Sequence, residues 1–186
     1  MTEASDVSTT RELGLGVSCE ACAAVCPTGA VSMVLHQGQF LPQVDPGKCN
    51  QCRVCLDCCP GLNMDPFVVG REALTPAALS GPVQGAHTAW LADLSVRRNS
   101  TSGGLATGLI MELLGLGLYD EAFVLRFDAF DGHPARLTAA RQHGDVLGAA
   151  RSKYVPASVY NVVRALHGSE KKRYIVVATS CQLRAV

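Results

Sequence analysis

The chain lacks an excess of charge of either sign. Its 16 lysines and arginines balance 16 aspartates and glutamates, so no field favours nucleic acid or an anionic membrane surface over other partners. A membrane span is missing too, because the longest apolar stretch, Gly103 to Tyr119, is short and interrupted by Glu112. Met1-Thr2-Glu3-Ala4-Ser5-Asp6 has neither the basic nor the apolar region of a secretory leader, so none is expected. The five histidines, His36, His87, His133, His143 and His167, are scattered without metal-ligand spacing and read as surface or structural residues. Cysteine, by contrast, is plentiful, with nine in 186 residues and eight of them between positions 19 and 59. Thiolates meant for a metal must stay reduced, which makes the cytoplasm the expected home.

Two cysteine runs offset by 33 carry most of the information. The second is complete: Cys49, Cys52, Cys55 and Cys59 stand at C-x2-C-x2-C-x3-C ahead of Pro60, the bacterial iron–sulfur ligand run. Subtracting 33 maps Cys52, Cys55, Cys59 and Pro60 onto Cys19, Cys22, Cys26 and Pro27, but it maps Cys49 onto Gly16. One sulfur is missing. Thiolates three residues apart on a tightly turning loop converge on one face of a compact cube, and in two-cluster proteins the fourth cysteine of each run serves the other cluster. That rule assigns a complete 4Fe-4S cluster to Cys26, Cys49, Cys52 and Cys55. It leaves Cys19, Cys22 and Cys59 at the twin site, which suffices for a 3Fe-4S cluster, or for a 4Fe-4S cluster with one non-cysteine ligand, unless the site stays empty. Cys58 is a candidate substitute, although adjacent side chains on extended backbone point apart. Zinc or a disulfide framework is the competing reading. Four-cysteine zinc sites use two separated C-x2-C pairs, and a third cysteine three residues on fits that pattern poorly. The proline after each fourth cysteine favours extended backbone at that cysteine.

Between the runs, Ala30 to Val34 and Phe40 to Val44 read as two short strands around Gln37-Gly38-Gln39. With the cysteine spacing, residues 14–66 resemble the small two-fold ferredoxin module. Asp65-Pro66, Thr75-Pro76 and Gly81-Pro82 then punctuate the chain, and residues 67–86 read as a linker.

From residue 87 to 186 apolar runs of strand length alternate with helical patterns, which argues α/β architecture. Leu105, Leu109, Ile110, Leu113 and Leu116 recur at helical spacing behind Ser100-Thr101-Ser102-Gly103-Gly104. Glu121 to Phe127 reads as a strand, Asp128 to Pro134 as a turn and Arg136 to Ala140 as a second strand. Val159, Val162, Val163 and Leu166 predict the best helix in the chain, opening near Pro156 and closing at Gly168. Tyr174 to Thr179 reads as a strand buried inside a parallel sheet, with Cys181 just past its carboxyl end, where open α/β sheets bind ligands. Ser102, Gly103 and Gly104 at a helix start, with Arg97 and Arg98 close by, offer a phosphate cradle. A simple helix cap is the alternative.

The order of the motifs is itself informative. A cysteine-rich module is followed by Arg98-Asn99-Ser100-Thr101-Ser102-Gly103-Gly104-Leu105-Ala106-Thr107, by Gly117-Leu118-Tyr119-Asp120-Glu121-Ala122, by Arg151-Ser152-Lys153-Tyr154 and by Val177-Ala178-Thr179-Ser180-Cys181-Gln182. This order resembles the beta-subunit family of coenzyme F420 hydrogenases and dehydrogenases, which uses Ser-Gly-Gly-x-x-Thr, Gly-Ser-Lys-Tyr and Gly-Thr-Pro-Cys-Gln. The resemblance implies an iron–sulfur flavoprotein that binds FAD and passes electrons between its clusters and a small-molecule acceptor: a deazaflavin coenzyme, a chlorophyll precursor or another compound. It also implies a redox partner protein or ferredoxin-type donor. Within it, Lys153 reaches a flavin phosphate as a point charge or is simply solvated, and Cys181 ligates iron, contacts flavin or is a buried structural thiol. No catalytic residue follows from it.

The departures are specific. Arg151 replaces the glycine of Gly-Ser-Lys-Tyr, Ala178-Thr179-Ser180 stands where Gly-Thr-Pro is usual, and Gly16 replaces a ligand cysteine. The chain also stops at Gln182-Leu183-Arg184-Ala185-Val186, where a new helix should begin. The expectation is therefore an α+β ferredoxin-like two-cluster module followed by an incomplete α/β domain, residues 87–186, that does not turn over alone. Three function classes remain: a flavin-dependent oxidoreductase whose clusters wire an external donor to FAD, a pure electron carrier, and a non-catalytic accessory protein linked to polysaccharide biosynthesis.

Overall fold

The computed structural model describes residues 6–63, 83–127, 134–168 and 171–186. Residues 67–82 of the expected linker, with Asp65-Pro66, Thr75-Pro76 and Gly81-Pro82, lie outside the described residues, as does nearly all of the expected turn Asp128 to Pro134.

The first stretch holds α1 (Thr9–Glu12), α2 (Ala21–Val25), β1 (Val31–His36), β2 (Gln39–Val44) and α3 (Val54–Asp57). β1 and β2 pair antiparallel from Val31 opposite Val44 to His36 opposite Gln39. Their two-residue link, Gln37 and Gly38, has positive φ at both positions, 49° and 81°. That is the primed turn whose twist matches a hairpin.

The 33-residue repeat is written in the backbone as well as in the cysteines. Ser18 and Gln51 have φ of 58° and 59°, and Glu20 and Arg53 have 65° and 64°. Cys19 and Cys52 are thus each flanked by two left-handed residues, and each loop then enters a short helix, α2 at Ala21 and α3 at Val54. Four non-glycine residues in this conformation cost about 1–2 kcal/mol apiece. Cys26 ends α2 in extended backbone, φ −66° and ψ 114°, as expected of a residue before proline.

The rest of the chain runs α4 (Leu94–Arg98), a 3-10 turn (Ser102–Gly104), α5 (Leu105–Gly115), β3 (Glu121–Phe127), β4 (Ala135–Ala140), α6 (His143–Gly148), β5 (Ala157–Ser158), α7 (Tyr160–Leu166), β6 (Tyr174–Val176) and α8 (Ser180–Arg184). The four strands form one mixed sheet in the order β5-β4-β3-β6. β3 pairs antiparallel with β4 and parallel with β6, and β4 pairs parallel with β5. Successive side chains of a strand face opposite sides, so β3 divides its apolar run between two layers. Ala122 and Val124 pack with Ile110 of α5 and Val146 of α6. Phe123 packs on the other side with Val162 and Val163 of α7 and with Cys19, Ala21 and Ala24 beside and within α2. Val162 and Val163 are at most 1% exposed, and full burial of such a side chain stabilises by roughly 1.5–3 kcal/mol. The cysteine-bearing stretch therefore covers one face of the sheet.

Three expectations change. β6 spans only Tyr174–Val176 and is a half-buried edge strand, not one enclosed in a parallel sheet; Val177 adds one more bond, its N–H donating to the Phe123 carbonyl at 3.1 Å. The helix expected near Pro156 begins at Tyr160, because Ala157–Ser158 joins β4 as a short strand first. Among the described residues the longest helix is α5, at eleven residues. No described helix is long and apolar enough to cross a membrane.

Candidate functional site

The loops that flank Cys19 and Cys52 curl back on themselves and gather the cysteines into two sets. Cys26, Cys49, Cys52 and Cys55 line one small cavity, which Asp6 and Arg53 also border. Cys19, Cys22 and Cys59 line a second, and Gly16 stands in its wall with Thr10 and Pro42. Each set draws one cysteine from the other run, Cys26 into the first and Cys59 into the second. A tetrahedral zinc ion, with Zn–S of about 2.3 Å, needs its sulfurs within roughly 4 Å of one another. Among the described residues no three His, Cys, Asp or Glu side chains converge as a single-ion site requires. The exchange of one cysteine between the two sets is the ligation pattern of two-cluster iron–sulfur proteins and not of paired C-x2-C zinc sites.

The environments of the two sets differ. Cys52 is exposed and Cys26, Cys49 and Cys55 are half-buried, whereas Cys19, Cys22 and Cys59 are buried. Burial pushes the Cys19 thiol up to about 11, and the nearby thiols of Cys59 and Cys181 add to the rise. Burial likewise drives Cys22 well above the ordinary thiol value, with Cys19, Cys58 and Cys59 adding to it. Burial raises Cys55, with smaller contributions from Asp6, Cys26 and Cys52. Cys26 goes the other way. Burial alone would raise it, but the Thr28 hydroxyl and the backbone amides of Val31, Ala30 and Thr28 outweigh that and lower it. The Ala30 amide donates to its sulfur at 3.2 Å, a contact of the kind that tunes cluster potentials.

Cys58 is not on extended backbone. It ends α3 with helical φ −81° and ψ −11°, and its thiol donates to the Cys55 carbonyl at 3.5 Å. Burial, with Cys59, Cys19 and Cys55 nearby, pushes that thiol up to about 12.

A third cavity, of about 370 Å³, lies in the second half of the chain. Three segments far apart in sequence line it: Thr101, Ala106 and Thr107 around the start of α5, Arg151-Ser152-Lys153 after α6, and Val177-Ala178-Thr179 with Gln182 at the end of β6. Val124 and Leu125 of β3 also line it. The Thr101 and Ser152 hydroxyls share a hydrogen bond of 3.2 Å. The volume is at the lower end of small-molecule sites, and the mix of aliphatic walls with a few convergent polar groups is typical of them.

The expected cradle residues sit beside this cavity, and their backbone is unusual. Ser102, Gly103 and Gly104 have consecutive φ of 51°, 74° and 76°. A side chain at Gly103 would meet Trp90 Cβ at 2.9 Å, and one at Gly104 would meet Leu91 Cδ1 at 3.2 Å. The two glycines are required by the close pass of the Trp90-Leu91 loop, whose Leu91 amide donates to the Gly103 carbonyl at 2.9 Å. Arg97 stacks over the Trp90 ring, 5.4 Å from its centroid. Lys153 lines the cavity, and its ammonium donates to the carbonyls of Ala149, Ala150 and Arg151 at 2.8, 3.1 and 3.0 Å. Cys181 lies in α8, sharing a 3.2 Å hydrogen bond with the Thr179 hydroxyl.

The two regions touch. The Val159 amide donates to the Cys19 carbonyl at 2.8 Å, the Ser158 hydroxyl donates to the Glu20 carboxylate, and Arg136 pairs with Glu20 at 3.6 Å. Gln182 lines the third cavity and also donates to the Ala157 carbonyl at 3.2 Å. Residues that sequence reasoning did not assign to a site are Thr101, Ser152, Thr179 and Gln182, and the left-handed pairs around Cys19 and Cys52. The 33-residue offset was the available signal for those pairs.

Residues 86–164 match the family model described as coenzyme F420 hydrogenase/dehydrogenase, beta subunit N-term. Residues 17–61 match that of a 4Fe-4S dicluster domain. No curated protein matches the chain.

Proposed function

We propose that this iron–sulfur protein, similar to the coenzyme F420 hydrogenase/dehydrogenase beta-subunit family, is a flavin-dependent oxidoreductase component: residues 14–66 a ferredoxin-like two-cluster module, 67–86 a linker and 87–186 part of a flavin-binding α/β domain. The observation that carries the reading is the convergence of three motif segments, around Thr101, Arg151 and Thr179, on one cavity. Cys19, from the second thiol-lined cavity, packs against the sheet whose strand β3 lines it.

In this reading Cys26, Cys49, Cys52 and Cys55 hold a 4Fe-4S cluster. Cys19, Cys22 and Cys59 hold a 3Fe-4S cluster or a 4Fe-4S cluster with a non-cysteine ligand, since Gly16 offers none and the Thr10 hydroxyl donates to the Val7 carbonyl at 2.7 Å. The third cavity, of about 370 Å³, would hold one part of FAD. When bound, the clusters supply single electrons and the flavin pairs them for a two-electron transfer. The chain's own residues do the rest. The buried walls around Cys19, Cys22 and Cys59 exclude water, and the exposed Cys52 marks the side that a donor protein reaches. Thr101, Ser152, Thr179 and Gln182 supply the polar contacts that orient a ligand between the aliphatic walls of α5 and α6. The donor is a ferredoxin-type or other redox protein and the acceptor a small molecule, in the cytoplasm.

Anaerobic reconstitution followed by iron and flavin analysis tests this. Two spectroscopically distinct clusters and a flavin that is reduced when a low-potential donor is added are expected. Clusters without any flavin uptake would leave a pure electron carrier.

A further inference from the structure

Lys153 looks from sequence like the cavity's anion ligand, but its environment assigns it elsewhere. An ammonium group has three donors, and all three point at backbone carbonyls of the turn that follows α6. That turn carries an anomaly. Arg151 has φ of 76°, a conformation that L side chains rarely adopt and that costs about 1–3 kcal/mol, a strain that clusters at functional sites. Arg151 stands at the rim of the 370 Å³ cavity, and its Nε donates to the Asn99 carbonyl at 3.3 Å. Anchoring by Nε fixes the plane of the guanidinium, and its two terminal amino groups remain for a planar, bidentate partner. No aspartate or glutamate lines the cavity among the described residues, whereas Arg151 and Lys153 both do. The hydroxyls of Thr101 and Ser152 stand next to it. The whole rim favours an anion.

Resting on the flavin reading only for the identity of the ligand, we propose that Arg151 is the residue that binds the phosphoryl group of whatever occupies this cavity, and that Lys153 is the positioning residue that holds the turn presenting it. The ligand class is a phosphate or pyrophosphate ester.

Calorimetric titration of the whole chain with inorganic pyrophosphate tests this directly. The parent protein binds, and Arg151→Gln and Arg151→Gly weaken binding by about tenfold to a hundredfold, the range for loss of a charge-assisted pair. Glycine is at ease at φ 76°, so Arg151→Gly keeps or raises the melting temperature, and its loss of binding is not a loss of fold. Pyrophosphate affinity unchanged in both variants, or no binding by the parent chain, overturns the proposal. Parallel titrations with riboflavin and its 5′-phosphate separate this idea from the flavin reading. Pyrophosphate binding that depends on Arg151, with neither flavin bound, would keep the anion site and sink the flavin. Both flavins bound equally by the parent chain and both variants would do the reverse.

Discussion

The Val159 amide donates to the Cys19 carbonyl at 2.8 Å, so the strained loop that carries the first cysteine is fastened to the start of α7 and, through it, to the sheet. Beside this bond the Ser158 hydroxyl donates to Glu20, the left-handed residue next to Cys19, and also accepts from the Tyr160 amide at 3.1 Å. Ser158 is fully buried. Ser158→Ala should therefore cost about 1–3 kcal/mol, the cost of leaving buried polar groups short of a partner. It should also release the Cys19 set before the Cys52 set. Iron content and the two cluster spectra, followed during mild chelation, check the order. Equal loss from both sites would show that the fastening does not matter to the cluster.

Gly16 makes a second prediction. A Cβ there would meet Leu41 Cδ2 at 2.5 Å, and Leu41 is buried. Gly16→Cys alone should thus overpack the wall and cost about 1–3 kcal/mol. Shortening the neighbour in Gly16→Cys with Leu41→Val makes the space and supplies the fourth thiolate. With a three-iron cluster at the parent's site, iron content should rise by about one atom per chain, and a paramagnetic signal present when oxidised should give way to one present when reduced. A double variant with the parent's iron content and spectrum would mean that the site does not hold a three-iron cluster.

Lys153→Met strips one donor from each of three carbonyls in the turn after α6. The side chain is half-buried, and burial, with Arg126 nearby, lowers its ammonium below the ordinary lysine value. Loss of these hydrogen bonds from a half-buried side chain should cost about 1–2 kcal/mol. Urea unfolding measures it. A value near zero would return Lys153 to the role of ligand contact.

Local chemistry was legible and tertiary partnership was not. The C-x2-C spacing and the 33-residue offset announced the two loops and their two sets of cysteines, because a tight loop motif is a matter of neighbouring residues. β3 and the β1–β2 hairpin followed from apolar periodicity and the Gln37-Gly38 turn. The shared sheet face was hidden, because Ala21 and Ala24 are too small to signal a packing surface against Phe123 and Val163. The role of Lys153 was hidden for a related reason. Three carbonyls of an irregular turn leave no trace in side-chain identity, so a lysine that braces backbone reads the same as one that waits for a phosphate. Residue 151 did carry a signal, an arginine where the related pattern has glycine, but only the backbone angle shows that it is left-handed there.

Glu121 gives a pH-dependent prediction. It opens β3 at 5% exposure, with Arg141 Nη2 at 2.6 Å and Lys172 Nζ at 3.0 Å on the same carboxylate oxygen. Burial alone would raise its carboxyl, but the two cations outweigh it and hold it below the ordinary glutamate range. A group whose folded value is depressed stabilises the fold above its unfolded value, about 4.3, and that contribution is lost as pH falls through the folded one. Arg141 is two-thirds exposed and Lys172 about one-third, so solvent screens the pairs well below the 3–5 kcal/mol of a fully buried bridge. Glu121→Gln should cost about 1–2 kcal/mol at pH 7. The gap between parent and variant should stay constant down to about pH 5 and close below pH 4. Urea unfolding of both proteins at each pH measures this, and acid effects common to the two cancel in the difference. A gap that widens on acidification would mean that the carboxyl is raised, with burial and not the two cations controlling its charge.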